Sequence, residues 1–409
     1  MTVERGKRGH LVAFVVTWLA YATYYLGRKG FSVSKARIVK ELGIGESSLA
    51  TIDTGYLSAY AAGQFLSGFI GDRVGARRLV SCGMLAAAVT CAAFGLGATA
   101  TALFVAFTLN GFAQSTGWPG TTKAMAEWTP PKSRGAIMGL WCTSYQVGGI
   151  VATAFCTWLL GRYGYKSAFF VPALCLAAVG LLVALTLRPG PFSASLSGAT
   201  PGRFGIDFTL VRSPTLWSYG ASYFFIKLIR YSLLFWLPYY LHTALGLRET
   251  AAGYLSTSFE IGGVAGAVTI GLMSDKLAHV SRSLVAAAGL VGLASALVLY
   301  AWLSPSSLVL QFAIMALIGA LLFGPDSLVS ASAAQEAAGP AAAATATGFV
   351  NGVGSLGAIL QGYVTVGIRQ AFGWSALFYV FVGFALLSAL ALAPTFRMTP
   401  AVRERRNGA

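Results

Sequence analysis

Gly68-Phe-Ile-Gly-Asp72-Arg73 closes one long apolar run, and Gly271-Leu-Met-Ser-Asp275-Lys276 closes another, 203 positions further along. Nearly the same offset relates Gly63 to Gly266, Ser167-Ala-Phe-Phe to Ser375-Ala-Leu-Phe, and the run-breaking Pro119 to Pro325. Echoes spaced at about half of a 409-residue chain mark a tandem duplication. Within the motif, Gly63 and Gly68 permit close helix approach, and Asp72 with the basic residues after it can form a charge network at an aqueous surface.

Outward from these motifs, apolar windows of about 20 residues fall near 11–33, 48–70, 79–98, 101–127, 136–160, 168–187, 214–241, 250–272, 284–303, 306–333, 341–367 and 375–394. The predicted architecture is therefore an all-α membrane protein, with twelve transmembrane helices as two pseudo-symmetric six-helix bundles. One bundle covers residues 1–187 and the other 214–409. Between them, residues 188–213 form the longest polar stretch, rich in Gly, Pro and Ser, and read as a cytoplasmic linker.

Composition agrees. The chain is 56% hydrophobic and 10% charged, with a mean hydropathy of +0.69, which excludes a soluble domain. The first span follows Arg5, Lys7 and Arg8 without a small-residue cleavage pattern, so it reads as a retained helix. Of the 29 Lys and Arg residues, 17 fall in the termini and loops assigned to one side, 7 in the loops of the other, and 5 within spans. That bias places both termini in the cytoplasm, and the expected location of this multi-pass protein is the plasma (inner) membrane. It also accounts for the net charge of +16 without nucleic acid as a partner. Cys82, Cys91, Cys142, Cys156 and Cys175 lie in spans without the spacing of a metal site or a disulfide framework. No cofactor or metal is expected. No span carries a nucleophile-base pair, and His10, His242 and His279 sit at span ends or in loops, so an enzyme is not expected either.

Two residues point to the chemistry. Arg28 and Arg230 each lie inside an apolar span, 202 positions apart. A guanidinium stays charged, so at bilayer depth it needs a cavity, a partner or an anionic ligand. Placed at matching points of two halves, the pair suggests one shared anion site.

A duplicated bundle with a central linker resembles the major facilitator superfamily, in which the substrate site lies near the midplane between the halves. The segment Asp72-Arg73-Val-Gly75-Ala-Arg77-Arg78 is similar to that superfamily's signature between spans two and three. Tyr24-Tyr-Leu-Gly-Arg28-Lys29-Gly-Phe, Gly117-Trp118-Pro119 through Lys123, Trp128 and Arg134-Gly135, and Leu228-Ile-Arg230-Tyr231 resemble the organophosphate:phosphate antiporters. That family includes the bacterial glycerol-3-phosphate and hexose-6-phosphate transporters. Glu260 with Gly263 and Gly271, and Gly324-Pro325, extend the likeness through the second half. Tyr60-Ala-Ala-Gly63-Gln64-Phe and Phe235-Trp236-Leu237-Pro238 look closer to the family's eukaryotic sugar-phosphate exchangers. Where the bacterial glycerol-phosphate branch carries Lys in the second span and His in the fifth, this chain has Gln64 and Tyr145.

The resemblance implies the major facilitator fold and exchange of an organophosphate or phosphonate for inorganic phosphate by alternating access, with Arg28 and Arg230 on the phosphate. Two guanidiniums grip such an anion with planar, charge-assisted hydrogen bonds. Lys29, Tyr24, Tyr145, Gln146, Tyr231 and Asn351 are further candidate substrate contacts. Lys227, three residues before Arg230, either joins the cationic site or pairs with Glu260. Asp326 balances Arg230, carries a coupling proton, or recognises a cationic or hydroxyl-bearing part of the substrate. Lys123 and Glu127, four apart on one helical face, are expected to neutralise each other at the cytoplasmic end. They form a gating set with Asp72, Arg73, Arg134, Asp275 and Lys276. Rival functions are a proton-coupled organic-anion symporter and a transporter-like sugar-phosphate sensor. The expected partners are a small anion and the bilayer, and a monomer suffices.

Overall fold

A computed structural model describes residues 3–129, 134–193, 212–277, 280–303, 307–333 and 343–397. The described residues are helical almost throughout. In chain order the helices are α1 (Val3–Tyr24), α2 (Leu26–Leu42), α3 (Glu46–Val74), α4 (Ala76–Leu96), α5 (Ala100–Gln114), α6 (Gly117–Trp128), α7 (Arg134–Trp141), α8 (Thr143–Tyr163) and α9 (Ser167–Thr186). The chain continues with α10 (Pro214–Thr243), α11 (Glu249–Lys276), α12 (Arg282–Leu303), α13 (Leu308–Ser327), a π-helical turn (Leu328–Ala333) and α14 (Ala343–Ala391).

Local chemistry sets the helix ends. Gly43 stops α2 at φ 65°, its N–H bonded to the Val39 carbonyl, as a left-handed cap requires. Thr99 caps α5 by accepting from the Ala102 N–H at 3.2 Å. At the other end of α5 the hydroxyls of Ser115 and Thr116 turn back onto the Phe112 and Ala113 carbonyls, at 2.6 and 2.8 Å. Helix α6 restarts at once, with Pro119 in its first turn, where a missing N–H costs nothing. Pro325 lies near the end of α13, and the π-helical turn follows directly. Helix α14 is two helices joined through Gly373 at φ 82°.

Among the described residues, 7 helical stretches are long and apolar enough to cross a membrane: Gly9–Leu42, Ala76–Leu96, Ser167–Thr186, Glu249–Ser274, Arg282–Leu303, Leu308–Ser330 and Ala346–Thr395. The first of these joins α1 and α2 across a single turn residue, Tyr25, and the last joins both limbs of α14. The predicted spans map unevenly onto these helices: 101–127 covers both α5 and α6, and 136–160 covers both α7 and α8. The last two, 341–367 and 375–394, fall on the two limbs of α14.

The chain divides into two compact units, Met1–Arg203 with Gly246–Tyr254, and Phe204–Leu245 with Leu255–Ala409. The short excursion into the first unit is held by Glu249, which accepts from Arg37 Nε and Nη2 at 2.9 and 2.7 Å. Gly161 and Gly253 leave no room for a β-carbon against Thr250 and Thr157.

In the first unit, Phe31, Phe94, Phe107, Phe169 and Tyr56 form a buried aromatic cluster, with neighbouring ring centroids 4.4–5.3 Å apart. Gly148 meets the backbone of Ala22, and Gly30 meets the Ala168 carbonyl, which fixes the α1–α2 junction against α8 and α9. Lys35 and Asp53 form a fully buried ion pair between α2 and α3. The sequence reading had ended the first span at residue 33 and set Lys35 in an outer loop. Here α2 runs on to its Gly43 cap, and the Asp53 carboxylate lets Lys35 enter the packed interior.

In the second unit, α11 and α13 approach closely where Gly262 and Gly266 face the Ala316 and Ala320 carbonyls. Helices α10 and α14 do so where Gly357 faces the Phe224 carbonyl.

Candidate functional site

Arg28 sits in the first turn of α2, just past the break at Tyr25. Its Nε donates to Gln114 Oε1 at 2.9 Å, and Tyr56 donates to the same oxygen at 3.1 Å. Gln114 Nε2 in turn donates to Asn110 Oδ1 at 2.6 Å, and Asn110 Nδ2 donates to the Ala87 carbonyl and to Thr90 Oγ1, both at 3.0 Å. Asn110 and Gln114 are themselves fully buried one turn apart on α5. The arginine is thus seated by a polar ladder anchored to α4.

The guanidinium carbon lies 4.4 Å from the centre of the Tyr25 ring and 5.3 Å from that of Tyr60, so the cation is flanked by aromatic rings. Among the described residues Arg28 has no carboxylate within ion-pair distance, and its Nη2 is buried without a hydrogen-bond partner. An oriented, aromatic-flanked cation with an unspent donor suits an incoming oxyanion.

Arg230, in the second unit, is arranged differently. Its Nη1 donates to Asp326 Oδ2 at 2.9 Å, with side-chain exposures of 16% and 10%. The Phe323 ring lies beneath the guanidinium at 4.2 Å. Lys227, one turn earlier on α10, donates to the Asn351 carbonyl at 3.3 Å and to Ser355 Oγ at 3.2 Å, with the Tyr223 ring 5.0 Å away. It therefore turns to α14 rather than to Glu260, because Gly354 leaves a gap there that the lysine stem fills. Asn351 spends its amide N–H on the Thr347 carbonyl at 3.2 Å.

The remaining predicted residues fall in several places. Tyr24 is 0% exposed and bonded to Thr116 and the Val80 carbonyl, so it is a packing residue, not a substrate contact, in this structure. Lys29 and Glu260 are buried, while Tyr145, Gln146 and Tyr231 are half-buried. Of the gating set, Arg73 and Lys276 are exposed, and the side chains of Asp72, Arg134 and Asp275 lie outside the described residues.

Glu127 does not pair with Lys123. Its carboxylate accepts from the Gly190 N–H at 3.4 Å, and its carbonyl accepts from the Phe192 N–H at 3.1 Å. Trp128 donates from its indole to the Arg188 carbonyl at 2.8 Å. The chain leaving α9 lies across the end of α6 and takes the acceptor that the four-residue spacing had assigned to lysine.

Sequence reasoning missed Gln114, Asn110, Tyr56, Tyr60 and Ser355. The first two carried a usable signal, since two amides one turn apart in an apolar span need partners. The others gave none, because Tyr and Ser are common packing residues in helices.

The sequence profile of the Major Facilitator Superfamily matches residues 17–362 and 220–409. An Arabidopsis thaliana protein provisionally named glycerol-3-phosphate transporter 3 is 30% identical over 94% of this chain and 86% of its own. Sugar phosphate exchanger 3 of Bos taurus is 28% identical over 99% of this chain and 96% of its own. Among solved structures, a bacterial homolog of the human lysosomal transporter Spinster, inward-facing and occupied, superposes with a TM-score of 0.79 at 17% identity, over 93% of this chain and 95% of that one. At that identity the likeness concerns the fold alone.

Proposed function

We propose that this chain, which belongs to the Major Facilitator Superfamily and within it to the organophosphate:phosphate antiporter family, exchanges an organophosphate or phosphonate for inorganic phosphate by alternating access. It is a multi-pass membrane transporter and not an enzyme. In this proposal it works in the plasma (inner) membrane with both termini in the cytoplasm, and Arg28 and Arg230 share the phosphate. The observation that carries the proposal is Arg28, a cation in an apolar span that has aromatic neighbours, an amide anchor and no carboxylate among the described residues. A phosphate monoester, with a charge between about −1 and −2 near neutral pH, supplies the missing anion.

Charge also explains why exchange is favoured over one-way flow. An empty site leaves Arg28 uncompensated in a low-dielectric setting, whereas bound phosphate neutralises it. The loaded transporter then reorients faster than the empty one. Asp326 already offsets Arg230, so the cost of the empty state falls mainly on Arg28.

Proteoliposomes loaded with unlabelled phosphate test this. Uptake of labelled phosphate should saturate, require internal phosphate, and collapse in Arg28→Lys and Arg230→Lys. Uptake that follows only an imposed proton gradient would replace antiport with symport and make Asp326 and Glu260 the next residues to change.

A further inference from the structure

Asp326 directly follows Pro325 near the end of α13 and is 7% exposed. One carboxylate oxygen accepts from Arg230, while the other, Oδ1, is buried with no hydrogen-bond partner among the described residues. An open acceptor on a buried charge is costly, so a native site that keeps one is either strained or waiting for a donor. Lys227 is near enough to attract Asp326 through space, but its hydrogen bonds go to Asn351 and Ser355 and none reaches Oδ1. Arg230 is fixed over Phe323, with its anion seat filled by the protein's own carboxylate. Among the described residues Arg28 has no such occupant.

We propose that Asp326 is a displaceable counter-ion and a specificity determinant. The substrate phosphate takes Arg230 from Asp326, and the carboxylate, now doubly open, accepts from a donor on the substrate's carbon skeleton. This assignment rests on the transport function proposed above. A phosphomonoester bearing a hydroxyl or ammonium group a few atoms from phosphorus satisfies both groups. An alkyl phosphate of the same length takes the arginine and leaves a buried carboxylate with nothing to accept from, so the site discriminates against it. A carboxylate that accepts a hydroxyl binds it more strongly than a neutral amide does.

Binding is read from the rise in unfolding temperature of the purified protein over titrations with sn-glycerol 3-phosphate and with propyl phosphate. Wild type should prefer the glycerol ester by about 10-fold or more. In Asp326→Asn that ratio should fall about 5- to 10-fold, and propyl phosphate should bind more tightly than in wild type, because its competitor for Arg230 has lost its charge. Equal weakening of both ligands in the variant would make Asp326 a structural residue and overturn the proposal. If the variant does not fold, the wild-type comparison decides: no preference between the two esters refutes the role. Labelled phosphate exchange in liposomes is scored separately, so a protein that discriminates the esters but does not exchange phosphate refutes the antiport and leaves the Asp326 assignment standing.

Discussion

Replacing Gln114 with glutamate changes a neutral acceptor into a charged one without changing its shape. In the present structure Gln114 Oε1 lies 2.9 Å from Arg28 Nε, and Tyr56 donates to it at 3.1 Å. A carboxylate there would form an ion pair with Arg28, much as Asp326 does with Arg230 at 2.9 Å. A hydrogen bond between charged partners contributes roughly 1.5–3 kcal/mol, against about 0.5–1.5 for a neutral acceptor, so the arginine would be held about 1–1.5 kcal/mol more firmly. Phosphate must overcome that difference and the repulsion of a new negative charge nearby. Its half-saturating concentration in liposome exchange should therefore rise at least about 10-fold. The bond from Gln114 Nε2 to Asn110 at 2.6 Å is lost and two acceptor oxygens then face each other, a cost the new ion pair offsets in part, so the unfolding temperature should fall by only a few degrees. Unchanged phosphate affinity in Gln114→Glu would refute Arg28 as the phosphate ligand. A loss of affinity in step with a loss of stability would show only that the helix packing had failed.

Two further outcomes follow from buried features of the first unit. Lys35→Met should cost about 3–5 kcal/mol by taking the ammonium from the buried Asp53 carboxylate, while Lys35→Met with Asp53→Leu should recover most of it; denaturant midpoints of the single and double variants measure this, and a double variant no better than the single would contradict it. Gly148→Ala should lower the unfolding temperature even though helix propensity favours alanine by about 1 kcal/mol, because its β-carbon would lie 2.7 Å from Ala22 Cα; a rise in unfolding temperature would mean that α1 and α8 yield more easily than their backbone contact implies.

The sequence carried much of the architecture because its signals are local and repeated. Apolar helical runs follow from a bilayer's demands on any chain that crosses it. The arginines were legible for the same reason, since a charge in an apolar run stands out. Their partners were not. That Arg28 rests on Gln114 depends on how α2 and α5 lie together, and no spacing within either helix encodes it. Pairs drawn by helical spacing or by neighbouring spans alone failed in the same way. Lys123 and Glu127 share a face, yet the backbone of Gly190 and Phe192 reaches Glu127. The sequence leaves Lys227 to join the cationic site or to pair with Glu260, and its hydrogen bonds go to α14, with its stem beside Gly354.

The strand that leaves α9 has a bearing on how this protein is dissected. Residues Arg188, Gly190 and Phe192 belong by composition to the linker, yet their backbone groups are bonded to Trp128 and Glu127 of α6. They are part of the first unit's folded surface, which therefore runs about seven residues past the end of α9. A split version of the transporter, or an inserted reporter or protease site, should leave residues 188–193 intact with the first unit. A junction placed at the Pro-Gly-Pro run of 189–191 would leave the end of α6 with an unanswered carboxylate and a bare indole.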